Sequence, residues 1–217
     1  MLPITEQERR MSMRITDYDI LRQRVVDIVK GHDPNPRIWL DTGCGCGGSA
    51  RYPVQMFKET QFVLADPSED NIRAAKETMQ GEQRCLYVTN PTHKLNMGDN
   101  TIDVITAIMS HHYYKDMEEK ASATANCYRM LKGHGIYIAT EHVRYERDQE
   151  YMDEQWAGYM RFKALPEEMV QEMLSRRFDE YFPLTEDEMI SHIKDAGFTK
   201  VNVFWRTCSD IGIVAIK

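Results

Sequence analysis

Over the first two thirds of the chain, short apolar runs alternate with segments whose apolar positions recur about every three to four residues. That alternation predicts βαβ units and a mostly parallel sheet. Residues 37–41 (RIWLD) and 61–65 (QFVLA) read as buried strands, 85–88 as a weaker one, and 102–109 (IDVITAIM), rich in β-branched residues, as a stronger one. Residues 68–80 are helical, with Ser68 as N-cap, acids in the first turn, and Ile72, Ala75 and Met79 on one face. Residues 115–131 form another helix, which Lys132-Gly133-His134-Gly135 stops before a fifth strand at 135–140 (GIYIAT).

Past Glu141 the pattern changes. A polar, helical stretch studded with Met and aromatic residues runs to Phe182 without a strand, and reads as an insertion over about 142–184. Thr185 with Glu188 forms a capping box for a helix that reaches Ala196 and closes at Gly197. Two final β-runs, 201–205 and 211–216, can pair as an antiparallel hairpin. At the other end, 16–30 is helical (Ile20, Leu21, Val25, Ile28, Val29) behind a polar, Met-containing stretch, so 1–30 forms a helical arm. The expected fold is an α/β, Rossmann-like three-layer sandwich in one domain over 1–217, with seven strands, mostly parallel, and an antiparallel C-terminal hairpin strand.

At 217 residues and 42% hydrophobic, the chain can bury one such core. A formal charge of -7 argues against a broad grip on nucleic acid, which relies on clustered Lys and Arg. No run of about 18 apolar residues occurs and the N-terminus is charged early, so neither a membrane span nor a secretory segment is expected, and the cytoplasm is the expected compartment. Five cysteines at irregular spacing fit reduced thiols; Cys44-x-Cys46 lacks a second ligand pair, so no metal is expected. A monomer or homodimer is compatible with all of this.

The densest chemical signal is Asp41-Thr42-Gly43-Cys44-Gly45-Cys46-Gly47-Gly48, directly after the first strand. Glycines there let the backbone turn and let a ligand approach, while the following helix aims free N–H groups at it. Gly43, Gly45 and Gly48 also satisfy the dinucleotide fingerprint, and Asp66, ending the second strand, suits the ribose of NAD or of S-adenosylmethionine alike.

Further segments bear on that choice. The stretch 40–47 resembles the D-x-G-x-G-x-G motif of class I S-adenosylmethionine-dependent methyltransferases, and Asp66 matches their ribose acid. Residues 97–105 resemble the approach to that family's fourth strand, His111-His112 the pair of its ubiquinone-biosynthesis-like group, and 129–135 its R-x-L-K-P-G-G turn, with Gly133 and His134 in place of Pro-Gly. The resemblance covers roughly 37–141 and favours a methyl donor over NAD. It implies S-adenosylmethionine as cofactor, S-adenosylhomocysteine as product, and a small-molecule acceptor. It further implies that Gly43, Cys44, Gly45 and Gly47 line the methionine and ribose portion. Asp41 helps hold the ammonium, Asp66 binds the ribose, Pro67 lies on the adenine, and Ala107 and Ile108 face the sulfonium side. Where the family has an adenine-contacting acid, Asn90 stands as the substitute.

His111 and His112 are the candidate bases, since histidine titrates near neutrality and strand ends here meet the ligand. Tyr113, Tyr114 and Glu141 lie beside them as acceptor contacts. The insertion is the expected acceptor cover, through Trp156, Tyr159, Met160, Phe162, Met169 and Met173, with Arg176 and Arg177 beyond. A guanidinium beside the cofactor would suit an anionic acceptor or a carboxylated cofactor, and 176–185 with 204–217 loosely resembles carboxy-S-adenosylmethionine synthase. A non-catalytic cofactor-binding partner subunit is a third reading.

Overall fold

The computed structural model describes residues 6–217, the side chain of Gln7 excepted. Seven strands form one sheet in the order β3-β2-β1-β4-β5-β7-β6. They are β1 (Ile38–Thr42), β2 (Gln61–Asp66), β3 (Cys85–Thr89), β4 (Ile102–Ile108), β5 (Leu131–His142), β6 (Lys200–Arg206) and β7 (Asp210–Ile216). β1 to β5 pair in parallel, and β7 runs antiparallel between β5 and β6. The chain order reverses where β1 meets β4, a crevice that in such sheets receives ligands at the carboxyl ends of the strands.

The central strands are apolar on both faces because helices cover both. One face, with Trp39, Phe62, Leu64, Val104 and Ile138, packs beneath α2 (Tyr18–His32), α3 (Gly48–Met56) and α4 (Glu69–Thr78). The other, with Leu40, Val63, Ile105, Tyr137 and Ile213, packs beneath α5 (Met117–Met130) and α8 (Glu186–Asp195). The caps read from sequence are present: Ser68 Oγ accepts the Asn71 N–H, and Thr185 with Glu188 closes a capping box on α8.

Two features differ from the expected pattern. β5 begins at Leu131, directly after α5, because fully buried Leu131 pairs with Ile102 and the chain then bulges before Ile136 meets Val104. His134 takes φ 67° in that bulge, the left-handed conformation that more often selects Gly. In the insertion, α6 (Gln149–Phe162) and α7 (Glu167–Ser175) build a small core of their own from Trp156, Met160, Val170, Met173 and Tyr181, whereas Phe162 is 85% exposed.

That insertion packs on the N-terminal arm. Trp156 Nε1 donates to the Arg14 carbonyl at 2.6 Å, and the Tyr159 hydroxyl reaches the Ser12 and Ile15 carbonyls at 2.9 and 3.2 Å. These bonds seat α1 (Glu6–Arg14) against the body of the protein, beside the crevice. No helix among the described residues is long and apolar enough to cross a membrane.

Candidate active site

A cavity of about 530 Å³ opens at the carboxyl ends of β1, β2 and β4. Its floor is the turn after β1, where Gly43 and Gly45 both take positive φ, 68° and 53°. At Gly43 a side chain is excluded outright: a Cβ would stand 2.3 Å from Ser110 Cβ. Cys44 N–H donates to the Ala65 carbonyl at 3.0 Å, extending the β1–β2 ladder into the turn.

Asp66 joins this turn to the next. It accepts the Gly45 N–H on one oxygen at 2.9 Å, and the Ser68 N–H and Asn71 side-chain amide on the other at 2.9 and 3.0 Å. The three donors fix its orientation at the cavity wall, where its remaining lone pairs can accept hydroxyls. Pro67 is exposed on the rim.

Asp41 lies one layer deeper. It is buried, accepts the hydroxyls of Ser49 and Thr106 at 2.7 Å each, and does not line the cavity among the described residues. Burial pushes its pKa up to about 6 despite those two bonds. Its hydrogen-bond partner Ser49 does line the cavity. Gly47, φ 81°, is the N-cap of α3 and faces Ala75 of α4 rather than the open space. Ala107 is fully buried in the sheet, while Ile108 and left-handed Met109 reach the wall.

The adjacent histidines diverge. They open a single 3-10 turn, His111–Tyr113, in which successive side chains point about 120° apart. His111 faces the cavity, with Nδ1 3.2 Å from the Tyr137 hydroxyl and Nε2 3.2 Å from Thr92 Oγ1; burial pulls its pKa down to about 4. His112 points away. Its Nδ1 lies 2.7 Å from Glu141, and its ring packs between His142 and Tyr181 at centroid distances of 4.6 and 5.3 Å. Burial and His142 lower its pKa. Glu141 is buried too, but His112 and the backbone N–H groups of both histidines outweigh burial and keep its pKa low. It anchors the turn and does not face the main cavity.

Other expected contacts also lie elsewhere. Asn90 is exposed and off the cavity wall; Pro91 and Thr92 take that edge, with Thr92 Oγ1 2.7 Å from Thr42 Oγ1 and 3.2 Å from His111. Tyr113 and Tyr114 do line the cavity. Trp156 and Tyr159 instead hold α1, and none of the described lining residues comes from the insertion. Arg176 pairs with Glu180 and stacks on Tyr181 at 4.8 Å. Arg177 is buried, donates to the Val143 carbonyl at 2.7 Å, pairs with Asp153 at 3.2 Å and stacks on Trp156. Neither arginine reaches the cavity.

The residues that cover the opening were not singled out from sequence. Glu8 and Met11 of α1 and Tyr18 of α2 close the side above Ser49. Glu8 is 3% exposed and bridges Arg22, at 2.7 Å, to Arg51. A buried acid in an otherwise polar, low-complexity-free arm leaves no local sequence signal, because its two partners lie far along the chain. Among the described residues no cluster of His, Cys, Asp or Glu is placed to hold a metal ion.

Residues 40–135 match the model of the methyltransferase domain family. Over that segment, which holds the glycine turn, Asp66 and His111, the chain carries a methyltransferase domain. Its fold is shared with solved structures of low sequence identity. A Bordetella parapertussis protein described as a possible exported protein is 14% identical with a TM-score of 0.71, covering 100% of this chain and 74% of its own. An S-adenosylmethionine-dependent methyltransferase of Aquifex aeolicus is 17% identical with a TM-score of 0.64, covering 95% and 92%. A phosphoethanolamine N-methyltransferase of Haemonchus contortus, solved with S-adenosylmethionine, is 17% identical with a TM-score of 0.64, covering 100% of this chain and 60% of its own. No curated protein matches the sequence. The crevice fits S-adenosylmethionine: a side-chain-free turn at Gly43 and an oriented carboxylate at Asp66, tied to that turn through Gly45, line one cavity.

Proposed function

We propose that the protein is a class I, S-adenosylmethionine-dependent methyltransferase that acts on a small-molecule acceptor held in the same cavity, between the turn after β4 and the N-terminal helices. The observation that carries this reading is the cavity's size and enclosure: about 530 Å³ walled jointly by the cofactor turns and by Glu8, Met11, Tyr18, Tyr113 and Tyr114. Such a volume falls in the usual range for small-molecule sites. The cover is assigned to α1 and α2, with the insertion as their buttress.

S-adenosylmethionine supplies an electrophilic methyl group that needs no further activation. The chain's work is alignment and exclusion of water. Gly43, Gly45 and Ser49 hold the amino-acid end, Asp66 accepts the ribose hydroxyls, and Ile108 and Met109 flank the reacting face. His111 is the histidine placed to meet an acceptor. Uncharged near neutrality, with its two ring nitrogens engaged by Thr92 and Tyr137, it meets the acceptor as a neutral ring face rather than as a base. His112 and Glu141 shape the turn that presents it. The reading of a carboxylated cofactor loses its support, since the arginines that suggested it are engaged elsewhere. A cytoplasmic, monomeric or homodimeric enzyme is consistent with the charge and with the absence of a long apolar helix among the described residues.

The test is calorimetry with S-adenosylhomocysteine, followed by methyl transfer from labelled S-adenosylmethionine across a panel of small acceptors. Binding with transfer to at least one acceptor is expected. Binding without transfer to any would favour a cofactor-binding partner subunit, and stabilisation by NADH instead of S-adenosylhomocysteine would overturn the assignment.

A further inference from the structure

The cavity wall divides by origin. The turns after β1 and β2 supply the cofactor surface, through Gly43, Gly45 and Asp66. Much of the remaining wall is apolar or aromatic, through Met11, Tyr18, Ile108, Met109, Tyr113 and Tyr114, and apart from Glu8 its polar members, Thr92, Ser110 and His111, are uncharged. No Lys or Arg lines the cavity among the described residues, and the stretch 1–5 and Gln7 contain neither. Arg22 and Arg51 are held by Glu8, and Arg176 by Glu180. Glu8 in turn is the acid on the acceptor side, and two guanidiniums share its carboxylate. Neither sign of charge is left to be matched. His111 adds none, since burial keeps it uncharged near neutrality.

Resting on the function proposed above, we infer that the acceptor is an uncharged, largely apolar molecule received between Met11, Tyr18, Met109 and Tyr113, and that acceptors carrying a carboxylate or phosphate are excluded. The reason is desolvation. An ionised group that leaves water needs a paired cation or several donors, and this wall offers hydrophobic side chains instead. When bound, S-adenosylmethionine would supply one positive charge, at the sulfonium, and it would leave a carboxylate or phosphate elsewhere on the acceptor unmatched.

The test uses the full chain saturated with S-adenosylhomocysteine and compares 2-naphthol with 2-naphthoate, which share the naphthalene ring and differ in charge, at neutral pH. Binding of 2-naphthol at least about tenfold tighter is expected. Equal or tighter binding of 2-naphthoate, or binding of neither with the cofactor product in place, would overturn the inference. Tyr113→Lys places a cation at the half-exposed rim and should shift the preference toward 2-naphthoate by about tenfold or more. An unchanged preference in that variant would show that the acceptor sits elsewhere. Failure of S-adenosylhomocysteine itself to bind removes the cofactor reading and this inference with it, whereas its binding alongside preferred 2-naphthoate removes this inference alone.

Discussion

Gly43 and Ser110 meet so closely that a single methyl group on the glycine would lie 2.3 Å from the serine Cβ. The contact joins the end of β1 to the end of β4 at the point where the sheet reverses order. Gly43→Ala should therefore cost about 1–3 kcal/mol through overpacking, with left-handed strain in addition, because φ there is +68°. Chemical denaturation measures the loss. The double variant Gly43→Ala/Ser110→Gly should recover the overpacking part and keep the strain; no recovery would mean that the contact is not the cause.

Asp66 is held by Gly45, Ser68 and Asn71, so its position depends on both turns. Asp66→Asn keeps the shape and removes the charge. Affinity for S-adenosylhomocysteine should fall by about 1–3 kcal/mol in calorimetry. Unchanged affinity would remove this side chain from the ribose site.

The acid limb of stability has an assignable part. The folded-state pKa of His111 is depressed from 6.5 to about 4 by burial. Its contribution is whole above about 6.5 and is lost as pH falls toward about 4, worth about 3 kcal/mol for a shift of this size. His112 and His192, lowered chiefly by burial, add loss of the same sign. Asp41 acts oppositely: with its carboxyl raised to about 6, the folded chain takes up that proton first and regains stability as pH falls below it. Comparison of His111→Asn with the parent isolates one group. The variant's deficit near neutrality should shrink by up to about 3 kcal/mol by a pH of about 4 in urea titrations; a constant deficit would show that His111 titrates normally.

Tyr159 lies outside the cavity but carries two backbone carbonyls of the arm, those of Ser12 and Ile15. Tyr159→Phe should cost about 1 kcal/mol of stability. It should also weaken S-adenosylhomocysteine binding, because α1 brings Glu8 and Met11 to the wall. Phe162→Ser, on the same helix but 85% exposed, should change stability by no more than about 0.5 kcal/mol and leave binding alone.

Arg177 stands between Val143, Asp153 and Trp156 and away from the ligand. Arg177→Met should destabilise by about 2–3 kcal/mol, since a buried carbonyl and a half-covered carboxylate lose their partner. Affinity for S-adenosylhomocysteine, measured where the variant is folded, should hold; a selective loss of affinity would return this arginine to the site.

The chain order of strands and helices, the caps on α4 and α8 and the glycine turn were legible because each is set by neighbours within a few residues: period, N-cap chemistry, positive φ. Which side chains share the cavity was decided by tertiary packing. His111 and His112 are alike in sequence, yet the 3-10 turn directs them to different neighbours, and Glu141, some thirty residues on in β5, captures the second. Thr92 replaces Asn90 at the edge because its hydroxyl meets Thr42 and His111, partners brought near only by the sheet. Glu8 and Tyr18 enter the wall because α6 seats the arm there, and Arg177 leaves it because Asp153 and Val143 hold it. Local conformation follows from adjacent residues, whereas the direction of a buried polar side chain follows from partners that only the folded chain assembles.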